Sequence, residues 1–519
     1  MICISKANGV LSERNRGAVA MKRRNFVLGG LAAPLVAGCA SPSGSLREWP
    51  SLQSDLEGEL LLPDSPSFET GRKIFNMRFD SIRPGAVARC KTARDVRACV
   101  AFARRNNIPI HVRSGGHSYA GWSTGPGLVI DVSPMNRVSV DAGSTVATIG
   151  AGAKLIDIYD GLAAHGRTLP GGSCPTVGIA GFALGGGISM LGRAYGLACD
   201  SLRQVEIVTA AGDILSCDAR RHPDLYWACR GGGGGNFGIA TSFRFQTQPQ
   251  KDITTLRLDW DWAVAAKVMK SWQTWGPNAP DAAWSNCRFH SNPSGAQPSI
   301  RITIVYLGEA AALEPLLADL IGPVGAEPVR GAETMEGLYA MLTLAGCPAV
   351  TVKQCHLSPT SAEGTLARPA HVAKSSFFNK PLSDEAISKL MRHIELARAT
   401  PGLSQASILF DAFGGAIGRV GPGDTAFAHR AALFSAQFLA YWQENADEPT
   451  MARCKSWIRE FHADMFSHSS GGAYVNYTDP ELADWQRGYY GSNYDRLVRV
   501  KATYDPNDLF RMPQGIPVA

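Results

Sequence analysis

The sequence predicts an α+β protein of two lobes, and three observations carry that expectation. Helix and strand signals alternate from about residue 68 to 250, and the glycine clusters of the chain fall between Gly115 and Gly238. From 251 to 455 those clusters vanish. Alternating runs such as Ser299-Ile300-Arg301-Ile302-Thr303-Ile304-Val305-Tyr306 take their place, and period-two alternation marks half-buried strands. A separate, largely antiparallel sheet is expected there, with helical stretches such as 309–320 between its strands. After 470 glycines and aromatics return, so the C-terminal segment is expected to rejoin the first lobe.

Ahead of the lobes, residues 1–39 read as an export signal. Lys22-Arg23-Arg24-Asn25-Phe26-Val27-Leu28 places paired arginines before an apolar run ending at Gly38, too short for a stable membrane span. Val36-Ala37-Gly38-Cys39 resembles a bacterial lipobox, and the preceding residues a twin-arginine signal. The chain is thus expected in the bacterial periplasm or at the cell surface, held to the membrane through an N-terminal lipid anchor only. Residues 40–66, rich in Ser, Pro and Gly, read as a tether.

Within the first lobe, 67–250, Thr92-Ala93-Arg94-Asp95 is a capping-box pattern, and Val96, Cys99, Val100 and Ala103 continue it at helical spacing. A short strand over 108–113 enters Ser114-Gly115-Gly116-His117, and 128–132 is a second strand. Leu155, Ile158, Tyr159 and Leu162 mark a helix face stopped by Gly166. The 205–216 segment reads as a hairpin turning at Ala211-Gly212-Asp213. The second lobe spans 251–455, and 456–519 returns to the first, closing with a helix over Tyr494–Tyr504 stopped by Asp505-Pro506.

Composition excludes several classes of function. With 45% hydrophobic and 18% charged residues the chain is ordinary for a globular protein. Its net charge of +6 is scattered, so no electrostatic footprint for nucleic acid exists. Ten of the 12 cysteines lie beyond the leader, without a CxxC pair or a haem signature. A zinc or iron–sulfur site is unsupported, and no metal is expected.

Three segments carry the chemistry: Arg113-Ser114-Gly115-Gly116-His117-Ser118, Gly171-Gly172-Ser173-Cys174-Pro175-Thr176-Val177-Gly178, and Gly185-Gly186-Gly187. A histidine or cysteine alone is an ordinary loop or core residue. Here each sits in a glycine-flanked loop, where missing Cβ atoms let backbone N–H groups approach an anion or a planar ring.

These segments resemble the berberine-bridge-enzyme-like branch of the vanillyl-alcohol-oxidase flavoproteins, from about Phe75 to Gln248 and from Tyr474 to Pro517. Tyr195-Gly196-Leu197-Ala198-Cys199-Asp200, 230–238, Tyr474-Val475-Asn476-Tyr477-Thr478-Asp479 and Tyr489-Tyr490-Gly491-Ser492-Asn493 match in the same order. Between them only Lys374-Ser375 and His429-Arg430 match. The resemblance implies a PCMH-type FAD-binding domain of two α/β subdomains, plus a substrate domain whose antiparallel sheet is covered by helices.

It also implies FAD bonded twice to the chain, through the His117 imidazole and the Cys174 sulfur. Imidazole nitrogen and thiolate are the side-chain nucleophiles most available near neutral pH. The implied cofactor contacts are Arg113, Ser114, Gly115, Gly116 and Ser118 around His117, and Gly172, Thr176, Val177, Gly178 and Gly181 around Cys174. Gly185, Gly186, Gly238, Ile239, Asn476, Tyr490 and Asn493 complete the set, with the 231–235 glycines against the pyrophosphate and ring. Tyr477 falls at the position of the catalytic base. With a reference pKa of about 10, an unassisted tyrosine is about 4 kcal/mol from being ionised at pH 7, and Lys374 is a candidate helper.

The implied activity is that of an oxidase acting on a small alcohol or carbohydrate, with a small-molecule substrate and O2 as its partners. Val177 resembles the oxygen-admitting residue of the family, whereas Phe182 replaces a histidine of many relatives. A dehydrogenase with another acceptor and a non-catalytic flavin-loaded binding lipoprotein stay open as alternatives. Gly121-Trp122-Ser123-Thr124-Gly125 matches a hydrolase nucleophile elbow in letters. The elbow needs a strand directly before and a helix directly after, and Pro126-Gly127 followed by a strand breaks that order. Trp260, Trp262, Trp272, Trp275 and Trp284 are expected mainly in the core.

Overall fold

A computed structural model describes residues 49–291, 296–358 and 361–518; the export signal and lipobox lie outside the described residues. The first subdomain is built on a sheet ordered Glu59–Leu61, Ala86–Arg89, Leu128–Asp131, Ile110–Arg113. Its last three strands are parallel, and the first pairs antiparallel. The Ala93–Arg105 helix covers it, started by a full capping box: Asp95 N donates to Thr92 Oγ1 at 3.2 Å and Thr92 N to the Asp95 carboxylate at 3.3 Å. The second subdomain is an antiparallel sheet ordered Val138–Val140, Val146–Gly150, Ile239–Gln246, Leu202–Val208, Ile214–Cys217. Its Leu202–Val208 and Ile214–Cys217 strands form the hairpin expected at Ala211-Gly212-Asp213, where Gly212 takes a φ of +93°. The Leu155–Ala163 helix ends just before Gly166, whose φ is +63°.

One stretch corrects the composition reading. Residues 49–66 belong to the fold and not to a tether. The Trp49 ring lies 5.3 Å from that of Phe102, tilted against it, and Leu52, Leu60 and Leu61 are buried. Four apolar side chains that bury on a sheet edge outweigh the Ser and Pro between them.

The second lobe holds a seven-stranded sheet, ordered Val329–Met335, Ile253–Trp260, Ser299–Tyr306, Ala283–Ser291, Leu403–Ala412, Phe434–Trp442, Ala370–Phe378, and every neighbouring pair is antiparallel. Alternation along these strands splits the sheet into two faces. On one, Phe289, Ile302, Ile408, Phe410 and Phe438 are buried with residues of the Ala265–Asn278, Asp384–Ala397 and Glu448–Phe466 helices. Trp260, Trp272 and Trp275 fill this core and Trp284 that of the first lobe, while Trp262 hydrogen-bonds Glu395 at its rim. The stretch 309–320 is helical in broken form: Ala310–Leu313, a 3-10 turn over Glu314–Leu317, then Ala318–Ile321. Pro315 has no N–H to continue the ladder.

The lobe ends later than expected. The Glu448–Phe466 helix crosses residue 455 unbroken, because Cys454, Trp457, Ile458, Phe461 and Met465 all face the second core. The chain then returns, and Tyr489, Tyr490, Leu497, Val500, Phe510 and Ile516 join the first core. A disulfide joins Cys347 to Cys355, and His356 beside it meets Asp157 of the first lobe at 2.9 Å.

The return is locked by a buried ion pair. Lys501 and Asp505 are fully buried and meet at 2.7 Å; Lys501 also donates to the carbonyls of Asn236 and Phe510 at 3.1 and 2.8 Å. Removing one partner leaves the other charge buried and unanswered. Lys501→Met is therefore expected to cost about 3–5 kcal/mol of stability, read as a lowered midpoint in chemical denaturation.

Candidate active site

Between the two subdomains and the returning C-terminal segment runs a cleft. His117, Cys174, Ser114, Gly115, Gly116, Ser118, Gly172, Val177, Gly178, Gly181, Gly238, Asn476, Tyr477 and Tyr490 all line it. Residues from three distant parts of the sequence thus meet on one surface. The contact that sets their spacing is backbone on backbone. A Cβ on Gly115 would lie 2.8 Å from both Gly178 Cα and the Thr176 carbonyl oxygen, and one on Gly178 would strike Gly115 and the Ser114 hydroxyl. Only glycine at both positions lets the His117 and Cys174 loops touch.

His117 is held on two sides. Its ring stacks on Phe75 at 3.9 Å between centroids, and its Nε2 meets Thr176 Oγ1 at 2.8 Å. Nδ1 is buried with no hydrogen-bond partner. Burial, with smaller contributions from Lys154 and His371, pushes its pKa down to about 3. The ring is therefore neutral at pH 7, with Nε2 held and Nδ1 unpartnered. Cys174 is buried and outside any disulfide.

The C-terminal segment closes the cleft from the second side. The Tyr474 hydroxyl accepts from Gly187 N at 2.9 Å and from Asn476 Nδ2 at 2.8 Å, and Asn476 Nδ2 also donates to the Phe182 carbonyl at 3.0 Å. These bonds place Tyr477, whose ring stacks on Tyr119 at 5.2 Å and 5°. Burial raises the Tyr477 pKa well above 10, and Asp411 is the charge that adds most. Asp411 itself is raised by burial and accepts from Asn286 Nδ2 at 2.6 Å.

Six residues expected to touch the cofactor stand behind the cleft instead. Arg113 is buried against Asp131 at 3.3 Å. Thr176 is fully buried and serves His117. Gly185 makes room for Asn476 and Gly186 for Phe427. Ile239 is core, and Asn493 donates to the carbonyls of Pro422, Thr425 and Ala426. Lys374 is not the helper of Tyr477: it is buried in ion pairs with Asp479 at 2.7 Å and Glu481 at 2.9 Å. Phe182 does line the cleft, as do Gly233, Gly234 and Gly235, and its ring edge lies against Gly172 and Gly187. Around Ser123 no strand ends directly before it and no helix follows, so the hydrolase elbow is absent.

Tyr119, Met512, Gln514 and Asp411 were not singled out by the sequence. Tyr119 follows His117 by two residues, but nothing local marks it. Asp411 left a trace, an acid closing the apolar run Ile408-Leu409-Phe410, where a carboxylate is seldom buried without purpose.

Residues 84–218 match the family described as FAD binding domain, and residues 473–517 the one described as berberine and berberine like. An uncharacterized FAD-linked oxidoreductase of Bacillus subtilis (strain 168), YgaK, is 34% identical over 471 residues, covering 90% of this chain and 98% of that one. This chain belongs to the berberine bridge enzyme-like FAD-linked oxidoreductases. The xylooligosaccharide oxidase of Thermothelomyces thermophilus is 29% identical over 517 residues, 94% and 98% of the two chains. The solved structure of Physcomitrella patens BBE-like 1 aligns with a TM-score of 0.82 at 30% identity, over 91% and 99% of the chains.

Two features fit this berberine bridge enzyme-like chain to FAD. Nδ1 of His117, a residue of the cleft wall, is buried without a hydrogen-bond partner, and a bound group could supply one. Gly181 faces open space, since a Cβ there would meet nothing within 4 Å, which leaves a planar ring room against the backbone. Thr176→Val would take away the Nε2 partner of His117, a loss of about 1–3 kcal/mol for a buried group. The variant is expected to fold but to carry FAD on a smaller fraction of chains, read by intact-protein mass.

Proposed function

We propose that this protein is an FAD-dependent oxidase of a small alcohol or carbohydrate, with the flavin bonded to both His117 and Cys174. The observation that carries the reading is the meeting of those two nucleophiles with Tyr477 on one cleft. The xylooligosaccharide oxidase among its relatives supports the choice of a hydroxylated substrate. FAD bound there would accept a hydride from the substrate carbon at N5 and hand the electron pair to O2.

The chain's own part is proton handling and enclosure. Because Tyr477 is raised far above neutrality, it rests as the phenol and not as a standing phenolate. Its oxygen would take the substrate hydroxyl proton as its own proton is passed on, and Asp411 is the carboxylate whose charge acts most strongly on that phenol. As hydride and proton depart, the alcohol becomes a carbonyl. Tyr119 fixes the Tyr477 ring by stacking, and Phe182 with Val177 keeps the wall apolar and water away. The lining residues named above are proposed as the FAD seat, with Arg113, Thr176, Gly185, Gly186, Ile239 and Asn493 as its supports. The paired arginines and the Cys39 lipobox support export with a lipid anchor at the periplasm or cell surface; among the described residues no helix is long and apolar enough to cross a membrane.

Attachment is tested by mass spectrometry of tryptic peptides. His117→Ala and Cys174→Ala should each leave a single flavin-bearing peptide, the one from the other loop. Two unmodified peptides from FAD-supplied wild-type protein would overturn the bonding.

Catalysis is tested by anaerobic flavin reduction. Tyr477→Phe should keep the flavin spectrum and slow reduction about 10²–10⁴-fold, the range of a lost general base. An ionised Asp411 holds the Tyr477 proton on, so Asp411→Asn lowers the Tyr477 pKa and should move the alkaline limb of the pH profile to lower pH. Peroxide formed in step with substrate would support O2 as acceptor, and turnover with dyes alone would favour a dehydrogenase.

A further inference from the structure

One helix carries the Cys174 loop. In Leu155–Ala163 the N–H groups of the first turn have no acceptor inside the helix, and the loop supplies one for each of the first two. Leu155 N donates to the Val177 carbonyl and Ile156 N to that of Pro175, both at 3.0 Å. One turn on, the Tyr159 hydroxyl donates to the Gly172 carbonyl at 2.8 Å. These three bonds hold the loop on either side of the Cys174 sulfur in sequence, and none of them holds His117.

The third residue of the helix is Asp157, a carboxylate beside N–H groups that favour an anion. A charged acceptor makes the stronger hydrogen bond, so a free Asp157 competes with the Val177 and Pro175 carbonyls for those groups. His356 engages it instead, donating from Nε2 to Asp157 Oδ1 at 2.9 Å. His356 belongs to the stretch from Gly337 to Leu366, which leaves the second lobe and buries Met341, Leu342, Cys355 and Leu366 in the core of the first. Its place is set twice. The disulfide to Cys347 fixes Cys355 beside it, and Leu366 N donates to its carbonyl at 2.9 Å.

We propose that His356 is a positioning residue for Cys174. By drawing Asp157 away from the helix N-terminus, it leaves the Leu155 and Ile156 N–H groups to the loop that presents the sulfur. The inference rests on the reading of Cys174 as a point of flavin attachment. Bonding there replaces the S–H of Cys174 and one C–H of the flavin ring by an S–C bond, and O2 takes the two hydrogens with their electrons as hydrogen peroxide.

The test uses the full chain supplied with FAD. Tryptic digestion and mass spectrometry separate flavin joined to both the His117 and Cys174 peptides from flavin on the His117 peptide alone. His356→Leu is expected to lower the doubly joined fraction at least fivefold, with total flavin on His117 within twofold of wild type. Adding Asp157→Ala removes the competing carboxylate and should return the doubly joined fraction to within twofold of wild type. A contact that merely ties the lobes together cannot give that rescue. Equal losses at both peptides, no loss at all, or a double variant as poor as His356→Leu overturns the proposal. If wild-type Cys174 never carries flavin, the attachment reading fails by itself, and alkylation of the Cys174 thiol by iodoacetamide becomes the readout. A rate at least tenfold faster in His356→Leu and near wild type in the double variant then supports the positioning. An unchanged rate in His356→Leu overturns it, as does a double variant as fast as the single.

Discussion

Two glycines in van der Waals contact set the geometry of this molecule. Gly115 and Gly178 press their backbones together where any side chain would collide, and the His117 and Cys174 loops are spaced by that contact. Everything else in the cleft is arranged around it. Thr176, two residues before Gly178, aligns the imidazole, and Ser114 ties its own loop to the second subdomain through the Ala151 carbonyl at 2.6 Å. Space, not backbone freedom, is the reason for glycine here: neither residue has a positive φ. Two rigid loops with few soft torsions hold a nucleophile better than a single flexible one would.

The labour is divided between the lobes by sheet face. In the second lobe the apolar face binds helices and gives stability. Its other face carries Arg288, Ser407, Asp411 and Tyr441, and there Leu409, Leu439 and Tyr441 pack with Tyr119 and Tyr477. The first lobe supplies glycine-lined walls with little charge. Tyr477 comes from neither sheet. It sits in a 3-10 turn, Val475–Tyr477, aimed by Tyr474 and Asn476. Buried tyrosines cluster around it, and their shared desolvation keeps each of them protonated.

Much of this architecture was legible in the sequence because it is local. The capping box at Thr92, the helix face from Leu155 and the Ser299–Tyr306 alternation each depend on residues within one element, and each appears where its pattern puts it. What was hidden depends on tertiary partners. Nothing near Lys374 says that Asp479, more than a hundred residues on, will take its charge. Composition labelled 49–66 a linker, although Trp49 and Leu52 find a helix face to bury against. Arg113 and Asn493 lie beside site residues in sequence, yet turn their side chains to a carboxylate and to carbonyls behind the wall. Adjacency along a chain does not say which way a residue points. Loop residues therefore gave the site's location, and only the fold sorted those that line it from those that brace it.

The cleft is lined by residues from Ile110 in the first subdomain to Gln514 in the returning segment. A nascent polypeptide therefore cannot wall it off until residues as far as Gln514 have been made and have travelled back across the first subdomain. Pairings of such long sequence separation form late. A chain without its last few dozen residues would lose the core contacts of Tyr489, Leu497, Phe510 and Ile516 together with the wall they complete.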